Sequence, residues 1–185
     1  KELRKLKEIV RSSAISARYG RMLYYLVNHY QPEFIVELGT SAGISTAYLA
    51  SASPATRVYT IEGDKSISQI AGDTFQNLKL KNIELITDTF ENALDKVTKC
   101  VSGKLLVFID GNHQYHSVID YFNKFRARSD ECLIIFDDIR WSNDMLKVWN
   151  VIRLDSEVKI SIDLFFMGIV LLNANIPKQH FVIKF

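Results

Sequence analysis

Residues 34–43 read FIVELGTSAG, a short apolar and β-branched run that ends in a loop of small residues. The run has the composition of a buried parallel strand, and the loop opens into a segment typical of a helix. Gly39 and Gly43 allow the backbone to approach a ligand without an intervening Cβ, and the helix N-terminus offers N–H groups to it. This stretch therefore predicts an α/β fold with a ligand site beyond the carboxyl end of the strand.

Further strand-like runs follow, and most of the segments between them have helical spacing. The runs that predict parallel strands are VYTIE (58–62), IELIT (83–87), LLVFID (105–110) and CLIIFDD (132–138). Two later runs, near 158–164 and 167–172, are separated by too little chain for a crossover, so they should pair antiparallel. The sequence predicts a Rossmann-like, doubly wound sheet of seven strands, mostly parallel with an antiparallel C-terminal strand, with helices on both faces.

The length of 185 residues and the 48% hydrophobic content suit a single domain over 1–185 with a sizeable core. No repeat and no Gly/Ser/Pro-rich linker divides the chain. We expect N-terminal helices within 1–31, near 2–12 and 17–30, a Rossmann-like core over 32–173, and a C-terminal tail or edge strand over 174–185.

The charge balance argues against two classes of partner. The chain has 23 Lys and Arg against 21 Asp and Glu, without a basic run, which gives no electrostatic reason to expect nucleic acid or an anionic membrane. The longest apolar stretch, residues 164–172, is about half of what a membrane-spanning helix needs. Two cysteines without a CxxC pair, and no signal-peptide pattern in KELRKLKEIV, favour a cytoplasmic protein.

Acidic residues stand at the ends of the predicted strands. Glu62 ends the second strand, where a carboxylate is placed to accept hydrogen bonds from both hydroxyls of a ribose. An isolated acid is more often a solvated strand-end residue, but the glycine loop upstream favours the ligand role. The later strand ends carry Asp88, Asp110, Asp137 and Asp138. Acids gathered at one sheet edge repel each other unless a cation lies among them, and helix capping is the alternative for each.

Four motifs together give the chain a family resemblance. They are FIVELGTSAGISTAYLA (34–50), VYTIEGD (58–64), FIDGNHQYHSV (108–118) and IIFDDIRWS (134–142). The chain resembles the class I S-adenosylmethionine-dependent methyltransferases, in particular the branch of catechol and caffeoyl-CoA O-methyltransferases and their uncharacterised bacterial relatives. The resemblance covers nearly the whole chain.

The resemblance implies S-adenosyl-L-methionine as the cofactor and assigns residues to its parts. Its methionine part would be held by Glu37, Gly39, Ser41 and Gly43. Glu62 would bind the ribose, and Asp88, with Thr89 and Phe90, would border the adenine. Asp110 would contact the cofactor and would also take part in catalysis.

Metal-using members of this branch hold one divalent cation with an acid after strand four and an Asp-Asn pair after strand five. The corresponding residues here are Asp110, Asp137 and Asp138. Asp in place of Asn keeps an oxygen ligand for Mg²⁺ or Ca²⁺ but adds a charge that alters the site. The sequence therefore leaves metal use open.

His113 follows Asp110 by three residues, where catechol-type relatives have a lysine that takes the proton of the acceptor. Its imidazole is a reasonable general base, although a lone histidine is more often structural. Arg140 and Trp141 follow the Asp pair on a loop that would overhang the acceptor pocket. They would select an aromatic or anionic acceptor, or Trp141 would simply pack.

The leading hypothesis is O-methyl transfer from S-adenosylmethionine to a small-molecule acceptor by direct in-line displacement, with the N-terminal helices on the acceptor side. One alternative is a nicotinamide-dependent oxidoreductase, against which the missing third glycine of G-x-G-x-x-G counts. The other is a non-catalytic nucleoside- or protein-binding module on the same fold. The identity of the acceptor and a homodimeric state stay open, because many substrates share this fold and loop.

Overall fold

The computed structural model of the protein describes residues 15–128 and 130–185. The helix predicted near 2–12 lies outside these residues. The chain divides into two compact units, the first ending at Val97 and the second beginning at Thr98.

The first unit alternates helices and strands. Its elements are α1 (Ala17–Tyr30), β1 (Phe34–Leu38), α2 (Ile44–Ala52), β2 (Arg57–Glu62), α3 (Lys65–Asn77), β3 (Ile83–Thr87) and the start of α4 (Phe90–Cys100). The strands lie in the order β3-β2-β1 and pair in parallel. Helix α1 begins behind Ser16, whose side chain accepts a hydrogen bond from the Tyr19 N–H, and ends at Gln31 in a left-handed conformation before Pro32.

Strands β1 and β2 form the core of the first unit. Ile35, Val36 and Leu38 on β1 are fully buried, as are Val58 and Ile61 on β2. Consecutive residues are buried because parallel strands are covered on both faces, and each large aliphatic side chain contributes about 1.5–3 kcal/mol of hydrophobic stabilisation. The burial fixes the carboxyl ends of both strands and therefore the loops that follow them.

The second unit contains β4 (Leu105–Ile109), α5 (Tyr115–Arg126), β5 (Cys132–Phe136), α6 (Asn143–Leu154), β6 (Val158–Asp163), β7 (Gly168–Leu172) and β8 (Gln179–Val182). Its strands lie in the order β4-β5-β7-β6-β8. The pairs β4–β5 and β6–β8 are parallel, whereas β7 runs antiparallel to both of its neighbours. Helix α6 begins behind Ser142, whose hydroxyl accepts from the Met145 N–H at 3.2 Å.

The predicted fold class is confirmed: the protein is α/β, with mostly parallel strands and an antiparallel C-terminal element. The structure describes eight strands rather than seven, because part of the C-terminal tail forms β8 beside β6. Within the segment 174–185, the strand is formed by residues Gln179–Val182. Among the described helices, none has the length and apolar composition needed to span a bilayer.

Candidate functional site

The loop after β1 turns back sharply onto the end of β2. Gly39, Ser41 and Gly43 all have positive φ angles, of 104°, 47° and 81°. The N–H groups of Gly39 and Thr40 donate to the Ile61 carbonyl at 3.0 and 3.2 Å, which ties the loop to β2. The sequence-predicted loop residues are therefore held together at the carboxyl ends of two neighbouring strands.

Gly43 is the position where the loop requires glycine. It is the N-cap of α2, and a Cβ placed there would lie 2.5 Å from the ring of Phe75. Both the left-handed backbone and the contact with α3 exclude a larger residue. The helix N-terminus therefore approaches its surroundings as bare backbone, as an anionic or polar ligand group requires.

The Glu62 side chain is hydrogen-bonded to this loop. One carboxylate oxygen, Oε2, accepts from the Ser41 N–H at 3.0 Å, and the other, Oε1, accepts from the Asp64 N–H at 3.0 Å. An ionised carboxylate has about four lone-pair positions, so these two bonds fix its orientation and leave capacity for further donors. The structure thus brings together the acid and the glycine loop that the sequence predicted as partners.

Glu37 lies beneath the loop and is fully buried. Its Oε2 accepts hydrogen bonds from the hydroxyls of Thr46 and Thr60, the latter at 2.6 Å. Within the described part of the chain, its other oxygen, Oε1, is buried without a hydrogen-bond partner. Burial raises the pKa of Glu37 to about 7. Hydrogen bonds from the Ser45, Thr46 and Thr60 hydroxyls lower this pKa, and the Glu62 charge raises it by a smaller amount.

The hydroxyl network around Glu37 was missed from the sequence. Thr40 and Thr60 share a hydrogen bond of 2.6 Å, and Thr40, Thr46 and Thr60 are all buried. The one available signal was Thr60 itself, a polar residue in the middle of the otherwise apolar run VYTI. Buried hydroxyls of this kind need polar partners, and in the structure Glu37 is the partner of Thr60.

Asp88 is directed toward its own helix. Its carboxylate accepts from the Thr89 N–H and the Asn92 side chain, and it pairs with Lys96 at 3.2 Å. The hydrogen bonds from Asn92 and Thr89, followed by Lys96, lower the pKa of Asp88. This geometry matches the helix-capping alternative, and a role at the adenine stays a prediction. The backbone still places Asp88 beside Glu62, because the Asp88 N–H donates to the Glu62 carbonyl at 3.2 Å.

In the second unit, the residues after β4 and β5 come together. The Asp137 N–H donates to the Ile109 carbonyl at 2.9 Å, which aligns the end of β5 with the residue before Asp110. Asn112 has a φ of 50°, and its side-chain amide donates to the Tyr121 hydroxyl at 3.1 Å. This turn fixes the backbone that carries His113.

The Asp137–Asp138 pair forms a local cluster of negative charge. Asp137 accepts from the Asp138 N–H at 2.9 Å. Burial, and then the Asp138 charge, raise the pKa of Asp137 to about 6 against the lowering effect of that backbone bond. Among residues 15–128 and 130–185, no group of three or more His, Cys, Asp or Glu side chains has an arrangement that could hold a metal ion. The geometry therefore gives no support to the predicted cation site at Asp110, Asp137 and Asp138.

His113 is half-buried beside Trp141, with 6.4 Å between the ring centroids and 37° between the planes. Burial lowers the pKa of His113, and the Asp138 charge opposes the shift. The imidazole is therefore mostly neutral at pH 7, the form that accepts a proton. Trp141 is 73% exposed, so simple packing does not explain its position.

Arg140 is engaged by a residue that the sequence analysis did not identify. Its two terminal nitrogens donate to the two carboxylate oxygens of Asp163, at 2.8 and 2.7 Å. A third bond reaches the Phe165 carbonyl at 2.7 Å. The positive charge of Arg140 is thus neutralised, and the expectation that it selects an anionic acceptor loses its support.

Comparison with known proteins gives the class of the chain. Residues 36–139, more than half of the chain, match the model of a family described as methyltransferase domain. The chain belongs to this family. The matched segment contains the glycine loop, Glu62, His113 and the Asp pair, and membership removes the oxidoreductase alternative.

Individual relatives agree with this assignment. The chain is 32% identical over 130 residues to a catechol O-methyltransferase of Mycobacterium tuberculosis, which covers 69% of this chain and 58% of that protein. It is 29% identical over 100 residues to a tRNA (guanine-N(7)-)-methyltransferase of Mycoplasma mobile, covering 49% and 50%. The chain therefore spans only about half the length of these two curated relatives.

Solved structures show the same fold. The O-methyltransferase TomG from Streptomyces achromogenes, solved in complex with SAM, superposes with a TM-score of 0.77 at 20% identity. The match covers 93% of this chain and 89% of that one. The likeness confirms the Rossmann-like methyltransferase fold that the sequence resemblance implied.

Proposed function

We propose that the protein transfers a methyl group from S-adenosylmethionine to an oxygen atom of a small-molecule acceptor. The observation that carries the proposal is the attachment of Glu62 to the glycine loop through the Ser41 N–H. This contact joins a backbone cradle and a strand-end carboxylate into one site, in a chain that belongs to a methyltransferase family.

The residues of the first unit fit the cofactor. Glu62 keeps lone pairs for the two hydroxyls of a ribose, and Gly43 leaves the helix N-terminus bare for the carboxylate of the methionine part. The ionised form of Glu37 favours the positive charges of the same molecule. When bound, S-adenosylmethionine supplies a methyl group that is already activated on a sulfonium.

His113 is the proposed general base. As a neutral imidazole it accepts the proton of the acceptor hydroxyl, and the nearby Asp138 charge then stabilises the imidazolium that forms. Asp110 is the second proposed catalytic residue, at the end of β4 on the same turn. Cys132 is not proposed as a nucleophile that carries the methyl group to the acceptor. Burial raises the pKa of its thiol to about 12, so the thiol stays protonated.

The acceptor is best matched by an uncharged aromatic molecule. Trp141 offers a largely exposed ring beside His113, on which a flat acceptor stacks favourably. The charge of Arg140 is already neutralised by Asp163. The negative charges of Asp137 and Asp138 would repel an anionic acceptor. These features favour the aromatic choice over the anionic one.

Calorimetric titration with S-adenosylhomocysteine tests the cofactor site. We expect saturable binding by the native protein and at least about tenfold weaker binding by Glu62→Ala, the effect of losing charge-assisted hydrogen bonds. Glu84→Ala is the matched control, because Glu84 on β3 is a half-exposed acid in a surface pair with Arg57. Its affinity should stay within about twofold. Equal affinities of Glu62→Ala and Glu84→Ala would contradict the site.

Methyl transfer from labelled S-adenosylmethionine tests the acceptor. We expect label in a phenol or catechol, and none in tRNA under the same conditions. Because one curated relative is a tRNA methyltransferase, tRNA is the necessary comparison. Labelled tRNA without any labelled small molecule would overturn the acceptor assignment while leaving the cofactor site intact.

A further inference from the structure

The residues beside His113 stand at the two ends of one tight turn. The Trp141 N–H donates to the Asp138 carbonyl at 2.9 Å, which closes a four-residue turn over 138–141. Asp138, at its start, has a left-handed φ of 52°. Asp138 acts electrostatically on His113, and Trp141, at the end of the turn, lies against its ring. The placement of this turn therefore sets both neighbours of the proposed base.

The turn is held by the tip of the β6–β7 hairpin, residues 164–167. The tip closes through the Leu164 N–H, which donates to the Met167 carbonyl at 2.9 Å. One central residue of the turn, Ile139, donates its N–H to the Phe166 carbonyl at 2.9 Å. The other, Arg140, donates to the Phe165 carbonyl and lies 4.9 Å over the Phe165 ring. Both central residues of the turn are thus attached to the same hairpin tip.

Asp163 anchors this attachment. It is only 5% exposed, and it accepts hydrogen bonds from the Trp149 indole N–H at 3.0 Å and from the Phe165 N–H at 2.9 Å, in addition to the two from Arg140. The two parallel bonds from Arg140 need a planar guanidinium, which fixes direction as well as distance. A lysine ammonium would keep the charge but lose that geometry.

We propose that the Arg140–Asp163 pair is a positioning device for the acceptor half of the reaction. It holds the 138–141 turn so that Asp138 and Trp141 stay beside His113. Arg140 is on this view a positioning residue and makes no contact with the acceptor. The inference rests on the proposed function, because the turn can align an acceptor only if the protein transfers a methyl group to one. Alignment errors on the order of 1 Å cost about a hundredfold in rate, so a rigid turn has a kinetic effect.

The test compares Arg140→Lys and Arg140→Gln with Arg126→Lys. Arg126 is a matched control, because its Nε donates to both oxygens of Asp155 at 2.9 and 2.8 Å in the same unit, without touching the turn. We expect both Arg140 variants to lower kcat/KM for the acceptor by about tenfold or more, while affinity for S-adenosylhomocysteine stays within about twofold. Arg126→Lys should change neither quantity.

Nuclear spin relaxation of the two tryptophan indole groups gives a readout that does not depend on catalysis. In the Arg140 variants the Trp141 indole should gain amplitude of motion, while the buried Trp149 indole serves as the internal reference. Unchanged Trp141 relaxation, or kinetics equal to those of Arg126→Lys, would overturn the positioning role. If the native protein methylates no acceptor, the proposed function fails, and the relaxation data alone still decide whether the pair restrains the turn.

Discussion

Glu37 is a buried acid with a pKa of about 7, so the stability of the protein should depend on pH. Its ordinary pKa is 4.5, and therefore the folded state binds more protons than the unfolded state between pH 4.5 and about 7. The free energy of unfolding then falls as pH rises through this window, by about 3 kcal/mol at most from this residue. We expect Glu37→Gln, which stays uncharged, to remove that part of the slope.

Urea midpoints measured from pH 4.5 to pH 8 check this prediction. Asp137 has its pKa raised from 3.8 to about 6 and adds a slope of the same sign at the acidic end of the window. A residual slope below pH 6 in Glu37→Gln is therefore expected, whereas the decline between pH 6 and pH 7 should disappear. A decline of native size above pH 6 in the variant would show that Glu37 ionises normally.

His113 predicts a second pH dependence, this time in the rate. Because only the neutral imidazole accepts a proton, kcat/KM for the acceptor should fall on acidification with an apparent pKa below the ordinary value of His. His113→Gln should lose about 10²–10⁴-fold in rate, together with the pH dependence. His116→Gln, three positions along, is an exposed control expected to behave as the native protein. Loss of activity in EDTA, restored by Mg²⁺, would favour a metal instead.

At the scale of elements, the start of α2 depends on Gly43. Gly43→Ala places a Cβ in a left-handed backbone and against the Phe75 ring, so we expect a loss of about 2 kcal/mol in the free energy of unfolding and weaker cofactor binding. Gly72 in α3 has open space around its Cβ position, and Gly72→Ala should stabilise the protein by about 0.5–1 kcal/mol. Urea unfolding of the two variants measures both free energies. If Gly43→Ala also stabilised the protein, the left-handed conformation of Gly43 would not be needed.

Local pattern explains what was predictable about these elements. Strands β1, β2, β4 and β5 were visible as mostly apolar runs because they are largely buried, as parallel strands covered on both faces are. Strand β3 has no fully buried residue, and it was visible only through its own short run, IELIT. Strand β8 was ambiguous, since all four of its residues are exposed and its pairing with β6 depends on the finished hairpin. The glycine loop and Glu62 were predictable as partners because they end consecutive parallel strands. The Arg140–Asp163 pair was not, because the partners are 23 residues apart and meet only through the hairpin.

Across the whole molecule, the residues proposed for cofactor binding and those proposed for catalysis lie in different parts of the chain. The residues proposed to hold the nucleoside and methionine parts, Glu37 to Asp88, fall within the first unit, while the proposed base and the turn that flanks it fall within the second. Substitutions of the proposed binding residues in the first unit should therefore change affinity for S-adenosylhomocysteine, and substitutions of the proposed base and its turn in the second should change turnover. Glu62→Ala and His113→Gln are the extreme cases of the two classes.

Because a ligand that binds the folded state stabilises it, hydrogen exchange can show which residues bind the cofactor. A ligand at about a hundred times its dissociation constant stabilises the state that binds it by about 2.7 kcal/mol. With S-adenosylhomocysteine we expect slower exchange of amides in residues 34–62, where the loop N–H groups already bond to Ile61 and Glu62. At the same ligand concentration Glu62→Ala should keep only about half of this gain, because a tenfold loss of affinity removes about 1.4 kcal/mol. Equal protection in the native protein and the variant would mean that the ligand binds without that carboxylate, and the glycine loop alone would then have to account for the affinity.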